Sequence, residues 1–224
     1  MPRRVAIQLL SLFFAACSLA AQAPSPPAAK FAIVLDAAHG GDDPGGRIGN
    51  LSEKAFTLAF NVRLRSLLSA RGFQVVTTRE QDAAMDSTRR AEIANRANAI
   101  ACLSLHASES GSGVHLFVSS LTPAPPMRFP GWKTAQAAYA TRSLALAGVL
   151  NSSLQQAGMT VTLGRTALMT VDSMACPAVA VEVAPERDAE HKITGELDSA
   201  EYQARVAEAI AAGLLEWRTE GRQP

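Results

Sequence analysis

The chain has 224 residues, 48% of them apolar, which suits one domain with a sizeable core and a short leader. Its 21 basic and 20 acidic side chains leave a net charge of +1, and that near-neutral balance excludes an electrostatic case for nucleic acid. Aromatic residues make up only 5%, so the core has to rest on Ala, Leu, Val and Ile.

Residues 1–20 read as a signal peptide. Arg3 and Arg4 precede an apolar stretch at 5–16, too short to span a bilayer, and SLA at 18–20 suits cleavage before Ala21. A second reading makes Cys17 a lipidated residue. In either case the protein is exported, to the periplasm or cell surface. Removing Arg3 and Arg4 leaves 19 basic against 20 acidic side chains, and no later apolar run reaches transmembrane length. Residues 21–30, with Pro24, Pro26 and Pro27, read as a short extended linker.

The domain proper runs over 31–218, with a tail at 219–224. FAIVL at 31–35 is a continuous apolar run of the kind that forms a buried parallel strand. A glycine-rich loop follows from His39 to Gly49, then Ser52 as helix N-cap with Glu53 in the first turn. Phe56, Phe60, Leu64 and Leu67 mark the core face of a helix over 54–71. Further strands are expected at 73–78, 101–105, 114–118, 166–170 and 177–181. Helices are expected at 88–98, 134–158 and 200–218, the last with Val206, Ile210 and Leu214 on one face. Strands alternating with amphipathic helices predict an α/β domain, a three-layer sandwich with a mostly parallel central sheet. Cys102 and Cys176 remain after export, which permits a disulfide, but their apolar strand-like settings point instead to two buried thiols.

In an open sheet of this kind ligands bind beyond the carboxyl ends of the strands. The first strand runs out into Asp36 and His39, the third into His106, the last into Glu182, and Glu53 opens the first helix on the same side. Two imidazoles and two acids therefore converge. Two neutral imidazoles and one carboxylate make a catalytic zinc set with a fourth position open for water, and the remaining carboxylate is then free to take that water's proton. Taken singly, each residue also has a plain reading: a solvated loop histidine for His39, a helix-dipole partner for Glu53, and a polar strand end for His106.

At these residues the sequence resembles the zinc-dependent N-acetylmuramoyl-L-alanine amidases typified by the bacterial cell-division amidases. The resemblance lies in VLDAAHGGDDPG at 34–45, LSEK at 51–54, RAEIANRAN at 90–98, LSLHA at 103–107 and PAVAVE at 177–182, and covers about residues 31–217. It implies that His39, Glu53 and His106 hold Zn2+ and that Glu182 is the catalytic carboxylate. The implied substrate is peptidoglycan, cut between N-acetylmuramic acid and L-alanine during wall remodelling or daughter-cell separation. Three departures concern substrate contacts more than the metal: Ala38 where the family has glycine, Ser108 where it has asparagine, and Val183-Ala-Pro-Glu186 after Glu182.

Rival readings are a non-catalytic wall-binding or regulatory module of the same fold, and a zinc enzyme cutting another bond, a carboxypeptidase or deacetylase. The glycines at 40, 41, 45 and 46 fit no phosphate-binding pattern, and no G-x-S-x-G element offers a serine nucleophile. Glu186 is a secondary candidate for the catalytic acid. His115 reads as packing or cleft rim, His191 as solvated, and Asp36 as either an acceptor for His39 or a strand-end cap. Some relatives of the resembled family carry an inserted helix that blocks the zinc until an activator protein removes it. Here the 119–133 segment is short and proline-rich, which predicts an open cleft, and the sequence identifies no activator.

Overall fold

The computed structural model describes residues 31–125 and 131–220, so the leader, Cys17 and the linker lie outside the described residues. In chain order the elements are β1 (Phe31–Ala37), β2 (Arg47–Ile48), β3 (Leu51–Ser52), α1 (Glu53–Ala70), β4 (Phe73–Thr77), α2 (Ser87–Arg96), β5 (Ala101–Ala107) and β6 (Val114–Ser119). A 3-10 helix (Trp132–Ala138) leads to α3 (Ala140–Gln156), β7 (Val161–Thr166), α4 (Met169–Asp172), β8 (Ala178–Val183), β9 (Glu186–Arg187), β10 (Ile193–Gly195) and α5 (Ala200–Glu220).

Six strands form one sheet in the order β4-β1-β5-β8-β6-β7. β4, β1, β5 and β8 are mutually parallel, and β6 reverses against β8 and carries β7 with it. The sheet is thus mostly parallel, with two strands turned over at one side. Helices α1, α5 and α3 cover one face, where Leu35, Leu103, Leu105, Val181, Phe60, Leu150, Val206, Ile210 and Leu214 are buried together. α2 and α4 cover the other, over Val34, Cys102, Ala178 and Ala180 with Ala94, Val171 and Met174. The three layers follow from the period-two alternation of strands buried on both faces.

Four expectations need correction. The strand expected over 166–170 lies earlier, at 161–166 (β7), and 169–172 make the helical turn α4; this short polar edge strand lacks the apolar run that marks the buried ones. The helix expected over 134–158 is split, since the 3-10 segment ends at Tyr139 before α3 begins. Ser52 sits at the N-cap of α1 without capping it through its side chain; the N–H groups of Glu53 and Lys54 donate instead to the carbonyls of Gly46 and Pro44. Finally, Cys102 and Cys176 form a disulfide rather than two thiols. Cys102 lies on β5 and Cys176 just before β8, neighbouring parallel strands, so their Cα atoms come within 6.2 Å.

Candidate metal centre

His39 follows β1, and its backbone enters the left-handed region at φ 62°, a conformation histidine tolerates better than most side chains. Ala38, in the place where the sequence led us to expect a glycine, keeps a negative φ, so its Cβ costs nothing and the sharp turn falls on His39 itself. Two buried arginines hold this turn. Arg90 donates to the carbonyls of Ala37 and His39 (both 2.6 Å) and to Asp36 (2.7 Å), and Arg79 donates to the carbonyls of Ala37 (2.9 Å) and Ala38 (3.0 Å). Thr57 adds its hydroxyl to the Ala38 carbonyl.

Glu53, the first residue of α1, sits at the centre of the site and is buried. One carboxylate oxygen accepts from His106 Nδ1 (3.0 Å) and the Ala107 N–H (3.2 Å), the other from the Gly46 N–H (2.9 Å) and His39 Nε2 (3.1 Å). Burial works against its charge, yet the hydrogen bonds from His106, His39 and Gly46 outweigh burial and hold the carboxyl well below the usual carboxylate range. The hydrogen bond to Glu53 is also the largest influence on His39, which it pushes up from the ordinary histidine value against burial, with Asp43 adding to it. Asp43 accepts from His39 Nδ1 at 2.8 Å and so turns Nε2 toward Glu53. His39 and His106 meet edge to face, their ring centroids 5.6 Å apart.

Among the described residues, His39, Glu53 and His106 are the group of three potential ligands whose donor atoms all lie within 4.8 Å of one another. Donors around a tetrahedral zinc stand roughly 3.4 Å apart, given bonds of about 2.0–2.2 Å, so the widest-spaced of these would draw in by up to about 1.4 Å to share one ion. The donor set of two imidazoles and a carboxylate fits zinc. His39 and His106 keep 23% and 32% of their side-chain surface exposed, so the described residues leave the cluster open to solvent. A cleft of about 480 Å3 opens beside it, walled by Asp43, Ser87, Thr88, Ser104, Met85 and Met169.

Glu182 is brought to the same edge. It stands in register with His106 across the β5–β8 pairing and is half-buried. Asp36 does not reach His39; it accepts from Thr78, Arg90 and Ser104, and Ser104 in turn lies 3.4 Å from His106 Nε2. Glu186 turns away, one oxygen accepting from the Thr160 N–H and the other facing Arg205 at 3.9 Å. His191 is exposed. Ser108 accepts from the Ser110 N–H and shapes the loop after β5. Sequence reasoning passed over Arg79 and Asp43. The i,i+4 spacing of His39 and Asp43 was a signal for the second; nothing local marked the first.

A two-histidine, one-glutamate cluster at the strand ends of a three-layer α/β sheet is an arrangement that could hold a metal ion. A family profile described as N-acetylmuramoyl-L-alanine amidase matches residues 33–216, and the chain belongs to that family. It is 39% identical over 88 residues to the probable N-acetylmuramoyl-L-alanine amidase AmiB of Haemophilus influenzae; the match takes in 38% of this chain and 20% of that relative. The catalytic domain of CwlV, an N-acetylmuramoyl-L-alanine amidase from Bacillus (Paenibacillus) polymyxa var. colistinus, superposes with a TM-score of 0.66 at 25% identity, over 84% of this chain and 98% of that one. The amidase AmiC2 of Nostoc punctiforme superposes with a TM-score of 0.63, also at 25% identity, over 84% and 97% of the two chains.

Proposed function

We propose that the chain is an exported, zinc-dependent amidase that hydrolyses the bond between the lactyl group of N-acetylmuramic acid and L-alanine in peptidoglycan, in wall remodelling or daughter-cell separation. The observation that carries this reading is the convergence of His39, Glu53 and His106 on one point, with Glu182 on the adjoining strand. Family membership supplies the bond.

In this reading His39, Glu53 and His106 hold the zinc, which when bound polarises the scissile carbonyl and lowers the pKa of water. Glu182 accepts a proton from the attacking water and passes it to the leaving alanine nitrogen. Asp43 keeps the His39 imidazole turned so that Nε2 faces the ion, and Ser104 together with Asp36 steadies His106. The open cleft beside the cluster admits a polymeric substrate. Export agrees with the basic, apolar leader and with the Cys102–Cys176 disulfide, which persists in oxidising compartments.

The purified chain is expected to bind one zinc and to release dye from labelled peptidoglycan. Glu182→Ala should lower release by at least about 1000-fold while leaving zinc content unchanged, since such a carboxylate supplies proton transfer and water activation together. Mass spectrometry of the products should find free stem peptides and intact glycan. Activity that survives in Glu182→Ala refutes the mechanism, and a well-folded protein without zinc affinity refutes the function.

A further inference from the structure

Glu182 has a register partner on each side. β8 pairs with β5 so that Glu182 faces His106, and with β6 so that it faces His115. Register partners on adjoining strands project from the same face, with Cβ atoms about 4.5–5.5 Å apart in an antiparallel pair. The row His106, Glu182, His115 therefore crosses three strands on the face that carries the metal cluster. That cluster accounts for His106 but not for His115.

The seat of His115 is built around its ring. The imidazole lies parallel to Phe117, two residues further along the same face, with centroids 6.4 Å apart. Gly111 closes over it at φ 86°, and a Cβ there would come within 2.4 Å of His115 Nε2. Nε2 is buried and, among the described residues, has no hydrogen-bond partner. Orphaned buried donors are rarer than orphaned acceptors, which favours the tautomer that leaves Nε2 the acceptor and places the N–H on Nδ1. The half-buried Glu182 carboxylate likewise makes no hydrogen bond to the described residues. A carboxylate that shuttles a proton works best with one oxygen tethered by a neutral donor and the other free for the reacting groups.

We propose that His115 is a positioning residue: its Nδ1–H donates through one water to the Glu182 carboxylate and holds it toward the attacking water. This rests on the reading of Glu182 given above. The test compares zinc-loaded wild type with three variants on a purified muropeptide. His115→Asn keeps an N–H near the place of Nδ1, His115→Gln moves it toward the place of Nε2, and His115→Leu removes it. The expected loss of kcat is about 10- to 100-fold for the Leu and Gln variants and less than about 5-fold for Asn, with KM and zinc stoichiometry unchanged. A packing role would leave the Leu variant at wild-type kcat, which overturns the proposal. If that variant does not fold, the Asn and Gln pair decides: Gln at least as active as Asn overturns it equally. An inactive wild type overturns the amidase reading itself, and the role of His115 with it.

Discussion

Gly45 shows how closely the centre is fitted. Its φ is 65°, and an added Cβ would lie 2.6 Å from the His39 ring and 2.7 Å from Glu53. Gly45→Ala combines a strained backbone with a methyl group driven between two proposed ligands. It should cost about 1–3 kcal/mol of stability and, more tellingly, most of the zinc affinity; metal analysis after dialysis at a fixed free-zinc level reads the second effect. Retention of one full zinc per chain would show that the loop can yield. Gly40 and Gly41 are as crowded, but only Gly45 among them abuts His39 and Glu53, and neighbours across the fold cannot be read from the sequence. The motif that contains it, VLDAAHGGDDPG, could be.

Between the elements, the hold on the β1–α1 turn depends on α2. Arg90, buried on that helix, reaches Asp36 and the carbonyls of Ala37, His39 and Met85. A guanidinium serves several acceptors at once and an ammonium cannot, so Arg90→Lys leaves buried carbonyls unpaired. The expected cost is about 2 kcal/mol, seen as a lower urea midpoint with an unchanged slope. Because the His39 carbonyl is among those released, zinc affinity should fall as well. A midpoint equal to wild type would mean that Arg79 alone suffices to hold the turn. The helix over 88–98 was legible in the sequence, but the contacts its Arg90 makes with β1 were not. Nor was the 166–170 region, where a polar edge strand and one helical turn share a stretch without periodicity.

Over the whole molecule, the Cys102–Cys176 disulfide closes a loop of 74 residues between the strands that carry His106 and Glu182. Chain entropy assigns such a closure about 4 kcal/mol. The paired replacement Cys102→Ala/Cys176→Ala should lower Tm by about 10 °C for a domain of this size, since each kcal/mol is worth about 2–4 °C. Both sulfur-bearing residues are buried, so dithiothreitol should act on the folded protein only as it opens. Calorimetry of the paired variant settles the matter: an unchanged Tm would mean that the β5–β8 hydrogen bonds carry the alignment unaided.

The layered α/β class, the buried strands and the residues that end them followed from apolar runs, helical spacing and turn residues, because these are short-range properties written in consecutive positions. His39, Glu53, His106 and Glu182 stood out as chemistry-bearing residues at strand or helix ends for the same reason. What brings them together is not local. The reversal of β6 against β8 sets His115 beside Glu182, the neighbouring placement of β5 and β8 joins Cys102 to Cys176, and the packing of α2 and the loop after β4 carries Arg90 and Arg79 onto the turn before His39. Strand order and long-range closure are decided by how the layers share one core, and no window of sequence contains that choice.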